Sequence, residues 1–250
     1  MLNIWGLTDI GLVRKENQDT YGVRENPDTG HMICVVCDGM GGAKGGALAS
    51  ILASETFLAS CIGNLRCEMD REQLEKVAEF AVSAANSAVF ERAQDNAALR
   101  GMGTTLVSAI AKDGNVLINN VGDSRAYLIR PGMQEERILR ITKDHSWVER
   151  LVDMGNITAE EARHYPGRNL ITRVIGTDPE TISDCFWVEL RSGDFILMCS
   201  DGLVDTVSDE EMADEVLRSG EENQCLNRLL QIAKGRGASD NITAVLLRQQ

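Results

Sequence analysis

Five aspartates share a local context in this sequence, and that context is where chemistry is concentrated. Four stand where a strand-like run meets glycine or a turn: Val36-Cys37-Asp38-Gly39, Val121-Gly122-Asp123-Ser124, Cys199-Ser200-Asp201-Gly202 and Ala238-Ser239-Asp240-Asn241. The fifth, Asp19, closes the polar stretch Asn17-Gln18-Asp19. Asp-Gly is a common turn dipeptide, so any one of these reads as structural on its own. Repetition changes the reading, because strand ends at one sheet edge are rigid points from which side chains can converge. Converging carboxylates repel. At an effective dielectric of ~20 a pair near 4 Å costs about 4 kcal/mol, so cations must compensate. Oxygen-only ligands with no histidine or thiol partner favour Mg²⁺ or Mn²⁺ over zinc. Spacing by itself leaves open whether the five meet.

Other reactive residue types carry less. The seven cysteines (Cys34, Cys37, Cys61, Cys67, Cys185, Cys199, Cys225) are odd in number, and five lie in or beside apolar runs. They read as small buried hydrophobes of a reducing compartment. Cys34 and Cys37 match a C-x-x-C spacing, but residues three apart on a strand point to opposite faces. Cys61 with Cys67 is a poor second pair for zinc. The only histidines are His31, His145 and His164; none is assigned as a metal ligand, and His145 in Lys143-Asp144-His145-Ser146 reads as structural or surface. Gly39–Gly46 invites a phosphate-loop reading, yet Lys44 precedes Gly45 and neither serine nor threonine follows it, which is the wrong order.

The elements that must position these residues alternate between strands and helices. Ile4–Thr8 is strand-like, and Met32–Cys37 is a continuous apolar, β-branched run of buried-strand length. Small and apolar residues from Ala43 to Cys61 predict a helix packed closely on a sheet. Apolar residues at helical spacing predict a second over Gln73–Gln94. Short strands follow at Thr104–Ile110, Val116–Asn120, Arg125–Ile129 and Glu136–Ile141, joined by turns such as Asp113-Gly114. Trp147–Asp178 is polar and broken by glycine and proline, which suggests an inserted, partly helical subdomain. Strands at Asp184–Leu190 and Asp194–Cys199, a helical stretch from Asp209 to about Lys234, and a strand at Ile242–Leu247 complete the chain. Strands this close together leave no room for helical crossovers, so an α+β fold with antiparallel sheets is expected.

Bulk properties bound the rest. A length of 250 residues suits one large domain or two small ones. A formal net charge of -13 disfavours nucleic acid and anionic membrane surfaces, whose binding needs clustered positive charge. Polar residues interrupt Met1–Leu12, which excludes a signal-peptide pattern, and no window is expected to reach the ~18–20 apolar residues of a membrane span. The default location is cytoplasmic.

Six motifs in register resemble one family. Thr8-Asp9-Ile10-Gly11-Leu12-Val13-Arg14-Lys15-Glu16-Asn17-Gln18-Asp19 resembles the opening motif of the metal-dependent protein phosphatases, the type 2C serine/threonine family. Asp38-Gly39-Met40-Gly41-Gly42, Gly101-Met102-Gly103-Thr104-Thr105, Val121-Gly122-Asp123-Ser124-Arg125, Ser200-Asp201-Gly202-Leu203 and Ser239-Asp240-Asn241 resemble its later motifs in order. The resemblance implies a four-layer α/β/β/α sandwich of two antiparallel sheets, one catalytic domain over 1–250, and a flap at about 145–171 beside the cleft. It implies two Mn²⁺ or Mg²⁺ ions, bridged by Asp38, with the Gly39 carbonyl as a further ligand. Asp201 and Asp240 would complete one site and Asp19 would hold the other ion's water shell. Asp123, with Asp201, resembles a third and weaker site of bacterial members.

The chemistry implied is attack of a metal-bridging hydroxide on phosphoserine or phosphothreonine. Ions roughly 3.5–4 Å apart suit that task. Arg14 resembles the arginine that grips the phosphate, a role its bidentate donors fit. Arg14, Asp19 and Asp38 are thus the catalytic set. Arg163, Arg168 and Arg173 in and beside the flap are read as solvated charge, with contact to a phosphopeptide as the alternative. Two departures stand out: Met40 replaces a histidine of many eukaryotic relatives, leaving the general acid unassigned, and Gln18 replaces a frequent glutamate. The implied partners are phosphorylated proteins, including a serine/threonine kinase and its substrates, met by a monomer. A non-catalytic binding protein on the same fold and a phosphatase dedicated to one partner are the competing readings. Loss of metal aspartates would mark the former.

Overall fold

The computed structural model describes residues 2–42, 45–132, 137–162, 165–218 and 222–250. Every strand pairing is antiparallel. The chain begins with β1 (Leu2–Asp9), β2 (Asp19–Glu25), β3 (Met32–Met40), α1 (Gly45–Asn64) and α2 (Arg71–Asp95). A two-residue β4 (Gly103–Thr104), then β5 (Leu106–Lys112), β6 (Asn115–Val121), β7 (Arg125–Ile129) and β8 (Ile138–Arg140) follow. The short helices α3 (Trp147–Asp153) and α4 (Ala159–Ala162) precede β9 (Asp184–Glu189) and β10 (Phe195–Cys199). The last elements are α5 (Asp201–Val204), α6 (Asp209–Arg218), α7 (Glu222–Gly235) and β11 (Ile242–Gln249).

One sheet runs β1-β11-β10-β7-β8 and the other β2-β3-β5-β6-β9, with β4 paired to β3. Alternation along β3 shows how they stack. Ile33, Val35 and Cys37 face α1 and α2, while Cys34 and Val36 face the other sheet. Both faces are buried, which is why this strand reads as an unbroken apolar run. The two cysteines diverge as their spacing requires, and burial pushes both thiols up. A third apolar layer packs α5, α6 and α7 on the first sheet. Helices, sheet, sheet and helices therefore make four layers, the α+β sandwich expected.

Some elements differ from the sequence reading. Strand β2 was not foreseen, because Asp19-Thr20-Tyr21-Gly22-Val23-Arg24-Glu25 lacks an apolar run. It forms as the antiparallel partner of β3 over its whole length. The stretch from Asp209 onward is two helices. Contrary to expectation, α1 has the length and apolar content of a membrane span. Here its face bearing Ala49, Ala53, Phe57 and Cys61 is buried in the core formed with the second sheet and α2. Helix α2 starts at a capping box in which Gln73 N donates to Asp70 Oδ1 (2.8 Å) and Asp70 N to Gln73 Oε1 (3.0 Å). The segment from His145 to Ile171 closes at its base through a Ser146–Ile171 bridge and Thr172 N donating to His145 O (2.7 Å). Glu136, Arg163, His164 and Lys44 lie outside the described residues.

Candidate metal centre

The strand register brings the sequence-selected aspartates to one end of the sandwich. Asp19 opens β2 directly opposite Asp38 near the end of β3. Asp123 follows β6, Asp201 begins the helical turn after β10, and Asp240 precedes β11. The Asp38 backbone is fixed from both sides. Its N–H donates to Thr105 Oγ1 (2.9 Å), and its carbonyl accepts from Thr105 N (2.9 Å) and Thr104 Oγ1 (2.8 Å). Asp19 Oδ2 accepts from Ser200 Oγ (2.7 Å), whose oxygen in turn accepts from Thr243 N (3.0 Å). The glycines beside Asp38 serve close approach. A Cβ on Gly39 would lie 2.1 Å from Gly46 O, and one on Gly46 would lie 2.7 Å from Gly39 O. That contact, where α1 begins against the end of β3, explains the glycine run without a phosphate loop.

Three carboxylate oxygens at this end, Asp19 Oδ1, Asp123 Oδ1 and Asp201 Oδ1, are buried without a hydrogen-bond partner. Burial and mutual repulsion raise their proton affinity. Asp38 stands well above the carboxylate range, first by burial and then by the charges of Asp19, Asp201, Asp123 and Asp240. Asp201 is raised in the same way by burial and by Asp123 and Asp240. Burial lifts Asp19 to about 6 despite hydrogen bonds from Ser200 and Thr243. Asp123 reaches about 7 through burial and the charge of Asp144. Among the described residues no three acidic, histidine or cysteine side chains are drawn together as a ready-made ligand cage. The aspartates feel one another through charge. Hard oxygen donors that are buried, mutually repelled and unsatisfied are the donor set a divalent cation suits.

The loop carrying Arg14 is laid against the same end. Arg14 Nη2 donates to Asp240 Oδ2 (2.6 Å), and Asp240 raises the guanidinium further above its ordinary value. Asn241 holds this loop at three points: Gln18 N donates to its Oδ1 (2.9 Å), and its Nδ2 donates to Ile10 O (2.9 Å) and Glu16 O (3.1 Å). Asn17 Oδ1 accepts from Asp19 N (3.1 Å) and its Nδ2 donates to Thr8 Oγ1 (2.8 Å). Gln18 Nε2 donates to Gly42 O (2.9 Å), tying the loop to the glycine run.

Sequence reasoning selected the aspartates and Arg14, and missed Asn241, Ser200 and Thr105 as the residues that hold them. The only signal for these was their place inside the motifs. A groove of about 810 Å³ runs outward from Asp123 and Asp201, between segment 145–171 and α5–α6. Arg168 crosses it to Asp205 with two hydrogen bonds (2.8 and 2.7 Å), so this arginine is paired across the groove. Arg173 pairs with Asp184 (2.7 Å).

Comparison with known proteins identifies the family to which this fold belongs. The family model described as Protein phosphatase 2C matches residues 14–246. The serine/threonine phosphatase stp of Listeria innocua is 35% identical over 243 residues, 97% of this chain and 94% of its own. Protein phosphatase PhpP of Streptococcus pneumoniae is 35% identical over 241 residues, 96% of this chain and 95% of its own. The crystal structure of serine/threonine phosphatase Stp1 from Staphylococcus aureus superposes with a TM-score of 0.92 at 38% identity, covering 100% of this chain and 96% of the other. With the motifs in register, the carboxylates gathered and the match spanning nearly its whole length, the chain belongs to the protein phosphatase 2C family.

Proposed function

We propose that this chain hydrolyses phosphoserine and phosphothreonine on proteins at the aspartate-lined end of the sandwich. The single observation that carries the reading is the set of buried, unsatisfied oxygens on Asp19, Asp123 and Asp201 beside Asp38. Asp38 and the Gly39 carbonyl would hold two Mn²⁺ or Mg²⁺ ions, Asp201 and Asp240 would complete one site, Asp19 would hold the other ion's water shell, and Asp123 with Asp201 would form a third, weaker site. Divalent cations held there supply the activation of water and neutralise phosphate oxygens.

The chain's own groups do the remaining work. Asp19 and Asp38 are held opposite each other by the β2–β3 register, and the Asp38 backbone is pinned by Thr104 and Thr105, so their geometry is set before substrate arrives. Arg14 is exposed on its loop and within reach of Asp240, placed to donate to phosphate oxygens with its fork of N–H groups. Nothing requires a protein nucleophile: burial pushes the Cys34, Cys37, Cys61 and Cys199 thiols up, away from the reactive thiolate form. Residues 1–250 act as one catalytic domain with 145–171 as its flap. The physiological role is to oppose bacterial serine/threonine kinases, as a cytoplasmic monomer. The serine/threonine phosphatase stp of Listeria innocua and protein phosphatase PhpP of Streptococcus pneumoniae, to which this chain is similar, support the phosphatase part of this reading.

The test is release of phosphate from a phosphothreonine peptide by the purified chain with Mn²⁺, wild type beside Asp38→Ala. Activity that needs the metal and disappears in the variant is expected. A folded wild type that binds no Mn²⁺ and releases no phosphate overturns the enzyme reading in favour of a binding protein on the same fold.

A further inference from the structure

His145 is buried, at 8% exposure, and has no part in the chemistry proposed above. Its contacts run to Gly122, Thr172, Arg173 and Asp184. His145 N donates to Gly122 O (2.9 Å), and Gly122 N donates back to His145 Nδ1 (3.0 Å). This reciprocal pair locks the residue immediately before Asp123 to the first residue of segment 145–171. The ring's Nε2 faces both Arg173 Nη1 (2.9 Å) and Asp184 Oδ2 (3.3 Å). Arg173 Nη1 grips the same carboxylate through Oδ1 (2.7 Å) and so steadies the ring's partner. On the opposite side, a Cβ on Gly122 would lie 2.6 Å from Thr105 Cγ2, and Thr105 Oγ1 stands 2.7 Å from Ser124 Oγ. The turn 122–124 is therefore caught between Thr105, which also pins Asp38, and His145, which belongs to the root of the flap.

The Asp123 carboxylate needs this support. Its Oδ1 is buried without a hydrogen-bond partner, so the backbone of its turn is what aims it. We propose that His145 is a positioning residue that fixes the Asp123 turn to the flap root, so that the position of the flap sets the affinity of the cation site to which Asp123 contributes. The proposal rests on the reading of Asp123 as a metal ligand.

Calorimetric titration of Mn²⁺ into the metal-stripped full chain tests it without recourse to activity. His145→Ala should weaken the weakest class of Mn²⁺ sites by about tenfold and leave the tighter class unmoved, as loss of an orienting outer partner does. His145→Asn, whose amide oxygen can accept from Gly122 N, should recover most of that affinity. Asp123→Ala should remove the weak class. Retention of the wild-type number of sites in Asp123→Ala removes the ligand assignment, and the proposal with it. Loss of the weak class in Asp123→Ala but not its weakening in His145→Ala keeps the assignment and overturns the coupling. So does an Asn variant that behaves like the Ala variant, or equal weakening of all sites. If His145→Ala does not fold, Asp184→Ala decides. It frees the ring from its far side and should weaken the same class alone; unchanged binding overturns the proposal.

Discussion

The two ends of the sandwich bury aspartates in opposite ways. At the end away from the metal centre, Asp194 is only 3% exposed, yet its Oδ2 accepts from Arg130 Nε (3.1 Å) and Arg191 N (2.9 Å). Nearby, Arg71 stacks 5.0 Å over Trp187 and donates to Glu189 Oε1 (2.7 Å), and Trp187 Nε1 donates to Glu75 Oε1 (2.5 Å). At the metal end hydroxyls and a side-chain amide hold the backbone of Asp38 and Asp19, while oxygens of Asp19, Asp123 and Asp201 are left unsatisfied. The same residue type thus closes one end and opens the other. What differs is whether the chain supplies the counter-charge. Where it does, the carboxylate is structure. Where it does not, the fold holds a repelled cluster at a cost that a cation can offset.

That contrast can be broken at either end. The largest effect is expected from Arg14→Ala, which on the proposed function removes a charged donor to the phosphate: kcat/KM on a phosphothreonine peptide should fall by roughly 10²–10³, with the fold intact. Next is pH in the presence of a chelator. Asp19 and Asp123 are raised to about 6 and about 7, so the folded protein holds their protons longer than the unfolded chain does. Their contribution to stability is fully present below the ordinary carboxylate pKa and is lost as pH rises through those values. Urea unfolding should therefore show the chelated protein less stable at pH 8 than at pH 5 by about 2–3 kcal/mol. A flat profile breaks the contrast. Asp194→Ala should lower stability by about 2 kcal/mol by leaving Arg130 unpaired, with Mn²⁺ affinity unchanged in a calorimetric titration. The smallest effect is expected from Glu211→Gln. Arg236 and Ser208 hold the Glu211 carboxyl down at about 2, so its contribution is present above the usual glutamate pKa and lost as pH falls. The pair is half-exposed, and only a slight shift of the urea midpoint at pH 6, vanishing near pH 2, is expected.

Much of the metal end was legible in the sequence because its parts carry local signals. Asp38 and Asp201 follow apolar strand runs and precede glycine, and Met32–Cys37 announces itself by composition. Strand β2 was invisible because its stability comes from pairing with β3 rather than from its own residues. Asn241, Ser200 and Thr105 were invisible for a related reason. Each is a small polar residue whose partner lies far away in sequence: Asn241 grips Gln18, Ser200 grips Asp19, and Thr105 grips Asp38. Hydroxyls and amides in turns have no periodicity, so only the folded register reveals what they hold. His145 was noticed for opening the inserted segment, but its bond to Gly122 depends on the topology that brings residues 122 and 145 together.

The most direct test is thermal unfolding of wild type and Asp38→Asn at pH 7.5, each in chelator and in Mn²⁺. Wild type should be stabilised by Mn²⁺, whereas Asp38→Asn should be more stable than wild type in chelator and respond little to the metal. An Mn²⁺-insensitive wild type, or an Asp38→Asn variant that is less stable in chelator, would contradict a centre built from repelled carboxylates awaiting a cation.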